Sequence, residues 1–166
     1  QAKLEGCEKR LISESTAGAS TYLIPFPATF DAFHFPCPYD RAASIEHAYY
    51  VGLNRCALQT DPTIKRVYSE LKIGTSSQTS DLVSVGHDGT RCAYEVTLSQ
   101  GNCLSNAVKH LNTDFAQIVF LCRDHKVRDA VKTCCRSAGL DPQLMAKLDF
   151  WQFSRLLRRQ HASKNS

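Results

Sequence analysis

The sequence has no run of about 18 apolar residues, the length a helix needs to cross a lipid bilayer, so no membrane-spanning segment is expected. Its first residues carry no basic-then-apolar stretch of the secretory kind. Eight cysteines are present, yet no two stand at C-x-x-C spacing, which removes the usual zinc and redox motifs. The polar stretch GTSSQTS at 74–80 does not end in GKS or GKT, the ending that puts a lysine at a nucleotide phosphate, so no nucleotide cofactor is expected. Internal repeats and low-complexity blocks are also missing.

What is there reads as a folded chain. At 166 residues it suits one domain able to bury a core without metal or disulfide support. Hydrophobic residues at 43% and charged residues at 22% place it among globular rather than disordered sequences. A net charge of +4 is compatible with a polyanionic partner. The cysteines lie in apolar settings, as in FLC at Cys122 and RCAY at Cys92, and read as reduced, mostly buried thiols of a cytoplasmic protein. The opening at Gln1, without methionine, suggests a domain of a larger protein.

The order of elements follows from punctuation and period. Residues 1–39 form an N-terminal extension: a short helix and flexible lead-in through 20, then extended edge segments over 21–38, where four of the six prolines fall. His34 reads there as a packed or surface histidine. A domain over 40–160 follows, and 161–166 is a basic tail. Ile45, Tyr49, Leu53 and Cys56 recur at helical spacing after a cap at Asp40 or Ser44, and Asp61-Pro62 ends that helix. Alternation predicts a strand over 65–73.

The stretch SDLVSVGHDGTRCAYEVTLS at 80–99 predicts a hairpin, with strands at 81–85 and 92–98 joined at His87-Asp88-Gly89-Thr90. Glycine there supplies the positive φ of a tight turn. A helix over 101–111 presents Leu104, Ala107, Val108 and Leu111 on one side. FAQIVFLC at 115–122 is a strand buried on both faces. A helix over 126–138 closes at Gly139. Residues 144–150 add an edge strand, and Asp149 caps a last helix through Trp151, Phe153, Leu156 and Leu157.

Chemistry concentrates in the hairpin, because each strand carries one carboxylate. Ala93, Glu95 and Thr97 share one face while Tyr94, Val96 and Leu98 share the other. Antiparallel pairing brings Asp81 toward Glu95, and two carboxylates that close raise each other's pKa unless a cation lies between them. A hard divalent ion such as Mg²⁺ is the usual resolution. The plainer reading is a pair of solvated acids on a one-sided sheet. A Cys-His nucleophile drawn from Cys92, Cys103, His110 and His125 has no spacing that singles out a combination.

The order of helix, three strands, helix, buried strand and helix, with Asp81 and Glu95 so placed, resembles the PD-(D/E)XK nuclease superfamily. The resemblance covers roughly 40–138 and implies an α/β, restriction-endonuclease-like αβββαβ core, a mixed central sheet flanked by helices. That family carries an aspartate on the second strand and E-x-K on the third. Here the second-strand motif is Ser80-Asp81, without the proline, and the third is Glu95-Val96-Thr97, with threonine in place of the lysine.

The resemblance implies a Mg²⁺- or Mn²⁺-dependent nuclease acting on DNA phosphodiesters, with Asp81 and Glu95 as metal ligands and Glu46 as a third acid. Lys72 or Lys109 would then supply the missing cation, since lysine's flexible stem permits relocation. Thr97, Ser99, Gln100 and Asn102 would lie near the phosphate backbone, with Arg123, Lys126, Arg128, Arg155, Arg158 and Arg159 as further basic contacts. The alternative is a catalytically inactive module that binds nucleic acid or a protein partner within a larger DNA-processing protein. Thr97 favours the second reading, and retention of both acids the first.

Overall fold

A computed structural model describes residues 12–17, 20–25, 45–73 and 78–155. The chain divides into two compact units, Gln1–Gly52 and Leu53–Ser166. In the first, strands β1 (Ile12–Ala17) and β2 (Ser20–Pro25) pair antiparallel. A strand at Ile12–Ala17 stands in place of the flexible lead-in expected there, and residues 1–11, where the short helix was expected, lie outside the described residues. Helix α1 (Ile45–Gln59) runs from the first unit into the second. The proposed caps Asp40 and Ser44, His34, the prolines Pro27, Pro36 and Pro38, and the basic tail lie outside the described residues.

The second unit is built on a five-stranded sheet. Its strands are β3 (Ile64–Lys72), β4 (Thr79–Gly86), β5 (Arg91–Thr97), β6 (Gln117–Cys122) and β7 (Leu148–Gln152), in that spatial order. The first three form an antiparallel meander, whereas β6 runs parallel to β5 and β7 parallel to β6. Parallel neighbours need crossovers, and helices α2 (Cys103–Val108), α3 (His125–Ser137) and α4 (Pro142–Lys147) lie in those connections.

Local chemistry explains the turns. Between β4 and β5 the Gly86 N–H donates to the Thr90 carbonyl at 2.8 Å. The Asp88 carboxylate accepts from the Thr90 N–H and hydroxyl at 2.9 and 2.8 Å, and Gly89 takes φ 83°. Asp124 caps α3 by accepting the Val127 N–H at 2.9 Å, and Gly139, at φ 63°, closes it.

The core lies on both sides of the sheet. Val83, Ala93, Ile118, Phe120 and Cys122 pack with Cys103, Ala107, Val131, Cys135 and Leu144 of the helices. Alternation sends Tyr94, Val96, Val119 and Leu121 to the opposite face, where they too are buried. β3, at the edge, is mostly exposed, and Glu70 there adopts φ 51°.

Three sequence readings change. The helix expected over 101–111 is confined to Cys103–Val108. The strand expected over 144–150 splits into α4 and β7, because Asp141 caps at Gln143 and Leu144 and Pro142 occupies a first-turn position that needs no N–H donor. Asp149 caps no helix: it lies in β7 and accepts from the Trp151 indole N–H at 2.6 Å and the Gln117 amide at 3.3 Å.

Candidate functional site

The strand pair β4–β5 sets the two acids beside each other. Its ladder runs from Val85 opposite Arg91 to Leu82 opposite Tyr94. Beyond that pair the Asp81 carboxylate accepts the Val96 N–H at 2.8 Å, a side chain taking a backbone hydrogen-bonding place. Glu95 sits opposite Phe120 in the parallel register with β6, on the face that the helices cover.

Burial makes Glu95 unusual. A glutamate only 1% exposed needs partners for both oxygens, and the end of α2 supplies them. Lys109 Nζ donates to Glu95 Oε2 at 2.7 Å and to the Thr79 carbonyl at 2.8 Å. His110 Nε2 lies 2.8 Å from Glu95 Oε1 and 3.5 Å from Ser80 Oγ, and its ring meets Phe115 edge-on. The His110 Nδ1 atom is buried with no hydrogen-bond partner among the described residues.

Burial pushes the Glu95 carboxyl above its ordinary range; the hydrogen bond from His110 opposes that, the Asp81 charge adds to it, and Lys109 opposes it again. The arrangement is a carboxylate held between two nitrogen bases under a helical layer. It holds the carboxyl inside the fold rather than presenting it to solvent.

The site residues expected from sequence fall into separate places. Lys109 reaches Glu95 directly, whereas Lys72 is exposed and lines a cleft of about 880 Å³ together with Gln78, Arg91, Lys109, Asn112 and Asp114. Arg91 is ion-paired with Asp114. Thr97 is buried, and its hydroxyl donates to the Glu95 carbonyl at 3.1 Å. Ser99, Gln100 and Asn102 are exposed in the loop between β5 and α2. Glu46 belongs to the N-terminal unit, in the first turn of α1.

Among the further basic candidates, Arg128 pairs with Asp129 and Arg155 stacks its guanidinium 4.2 Å from the Trp151 ring centre. Lys126 is exposed, Arg123 is half-buried, and Arg158 and Arg159 lie outside the described residues. His110 is the residue that sequence reasoning missed as a partner of Glu95. Its only signal is a second nitrogen base next to Lys109 at the end of an amphipathic helix.

The fit of a divalent metal can be judged on these donors. Mg²⁺ takes oxygen lone pairs in an open octahedron and keeps several waters. Both Glu95 oxygens already face nitrogen donors, and one Asp81 oxygen faces a backbone N–H. The residues present therefore do not fit the ion in this arrangement. Among the described residues, no group of three or more His, Cys, Asp or Glu side chains is placed to hold a metal.

The chain is an α/β protein with a five-stranded mixed sheet flanked by helices. Among the described residues no helix is long and apolar enough to cross a membrane. No family model, no curated protein and no solved structure matches the sequence or the fold.

Proposed function

We propose that this chain is a nuclease-like module that binds DNA without metal-dependent cleavage. The observation that carries the reading is the closure of Glu95: 1% exposed, with both oxygens engaged by Lys109 and His110. A metal would have to displace two nitrogen bases from a buried site, leaving each without its partner. Binding has material support in the cleft beside the centre, where the exposed Lys72 stands with the polar side chains Gln78 and Asn112, while Arg91 is paired there with Asp114 and Lys109 with Glu95. Lysine and arginine in a polar groove suit phosphate contacts, and the chain's +4 charge supports approach to a polyanion.

One observation favours a second reading. Lys109 meets Glu95 at 2.7 Å, a position from which it would replace the lysine that Thr97 lacks, and the chain would then be a Mg²⁺-dependent nuclease. One experiment separates the two. Labelled duplex DNA is titrated with protein in chelator and in Mg²⁺, and supercoiled DNA is incubated in Mg²⁺ and in Mn²⁺ with wild type, Asp81→Ala and Glu95→Ala. Equal binding with and without metal, and intact DNA throughout, is the expected result. Nicking by wild type that either substitution abolishes would overturn the binding-module reading and establish the nuclease.

A further inference from the structure

The face of the molecule behind the β5–α2 loop carries a thiol cluster independent of the acid pair. Cys103 opens α2, while Cys134 and Cys135 stand in the last turns of α3. The two helices pack against each other, Cys103 and Cys135 belong to one core cluster, and Cys134 packs against that cluster. Their surroundings differ sharply. Cys103 is 2% exposed and Cys135 fully buried in the core, whereas Cys134 is half-buried at its rim.

We propose that Cys103 and Cys134 form an oxidisable dithiol, which a peroxide closes to a disulfide tying α2 to α3. The roles follow from access and partners. Hydrogen bonds from the Gln100 side chain, and then from Cys103, hold the Cys134 thiol below the ordinary cysteine range, and it is the member that solvent reaches. Burial holds Cys103 well above that range, which makes it poor at first attack and suited to the second step. Cys135 is buried and, as the neighbour of Cys134 on one helix, points about 100° away from it.

The chemistry balances with hydrogen peroxide as oxidant. The Cys134 thiolate attacks one peroxide oxygen, the O–O bond breaks, and the departing hydroxide takes up the thiol proton as water. Cys134 is then a sulfenic acid. The Cys103 sulfur attacks the Cys134 sulfur, the S–O bond breaks, and the hydroxyl leaves with the Cys103 proton as a second water. Two thiols lose two electrons and two protons, and one peroxide becomes two waters. Because Cys103 follows directly on residues 99–102, the bond fixes the loop that leads from β5 into α2.

The test uses the full chain treated with a small excess of hydrogen peroxide, alkylated and digested for mass spectrometry. Tryptic cleavage leaves Cys103 with Cys92 on one peptide and Cys134 with Cys135 on another, so variants assign the bond. The expected result is a cross-linked peptide pair, lighter by two hydrogens, in wild type, Cys92→Ser and Cys135→Ser. It should vanish in Cys134→Ser and in Cys103→Ser, with the latter trapping a sulfenic acid at Cys134 by a cyclic diketone. In unoxidised wild type, alkylation of Cys134 should run at least about tenfold faster than that of Cys103. This rate needs no variant and so is insensitive to folding defects. A cross-link that survives Cys103→Ser, or equal alkylation of the two thiols in folded wild type, would overturn the proposal.

Discussion

Glu95 and Lys109 form a salt bridge of 2.7 Å in which the carboxylate is 1% and the ammonium 10% exposed. An ion pair that far from water differs from a surface pair. Exposed pairs are worth about 0–1 kcal/mol, whereas removing one member of a buried pair leaves an uncompensated charge and costs about 3–5 kcal/mol. Lys109→Met should therefore destabilise the protein by about 3 kcal/mol, His110 retaining part of the Glu95 charge. Adding Glu95→Met should return most of that loss, since two well-packed apolar side chains need no partners. Urea unfolding of the two singles and the double variant measures it. A Lys109→Met cost under about 1 kcal/mol would place the pair with surface salt bridges.

Asp124 controls the start of α3, and its acid behaviour follows from the cap. The Val127 N–H holds its carboxyl below the ordinary 3.8, with the neighbouring Arg123 charge acting in the same direction. A carboxylate favoured by the fold contributes stability that is present above its unfolded value and is lost as pH falls through the lower folded value. Asp124→Ala should cost about 1 kcal/mol at neutral pH, the usual worth of an N-cap. Asp124→Asn should keep the cap and remove its share of the acid loss below pH 3.8. Thermal melts from neutral pH down to the acid range check both. An unchanged acid slope in Asp124→Asn would mean the cap does not titrate as the geometry requires.

β7 is held to the sheet partly through one side chain. Asp149 accepts from the Trp151 indole and from the Gln117 amide of β6, so its loss leaves two donors with less than they need. Asp149→Ala should cost about 1–3 kcal/mol, the range for a buried donor deprived of its partner. Trp151 is the only tryptophan in the chain, so its emission reports this site alone. A red shift in the folded Asp149→Ala variant is expected. Identical emission and stability would show that β7 is held by its ladder and packing without that clamp.

Particular elements show how much of this was legible in the sequence. The β4–β5 hairpin was readable because Asp88-Gly89 demands a tight turn and the flanking residues alternate. β6 was readable because a strand covered on both faces has no polar side. The approach of Asp81 to Glu95 followed from the two-residue period of strands, and the hairpin's register carries it. α4 was also written, in Asp141-Pro142, but an apolar stretch over 144–150 was read as strand because short apolar runs do not distinguish the two.

The closed state of Glu95 was not legible. It depends on α2 ending at Val108, so that Lys109 and His110 turn in consecutive positions toward β5. Helical periodicity extends three residues further in the sequence, but the His110 and Leu111 N–H groups donate to carbonyls three residues back, the tighter turns that close the helix. Element order and two acids therefore gave the setting of the site, and the chemistry of its neighbours came from tertiary contact.

Lys72 offers the test of DNA binding that disturbs the interior least. It is exposed at the end of the edge strand and lines the cleft that Lys109 enters, so changing it leaves the Glu95 centre intact. Each lysine that neutralises a phosphate releases about one counterion, and its loss lowers the logarithmic salt slope by about one. Lys72→Ala should weaken duplex binding several-fold at low salt, by similar factors for unrelated sequences, since phosphates carry no base information. Arg136→Ala, at the far end of α3 and outside that cleft, is the control and should change neither affinity nor slope. Fluorescence anisotropy over a salt series reads both quantities. Equal affinities and slopes for wild type and Lys72→Ala would remove the cleft from the DNA contact surface.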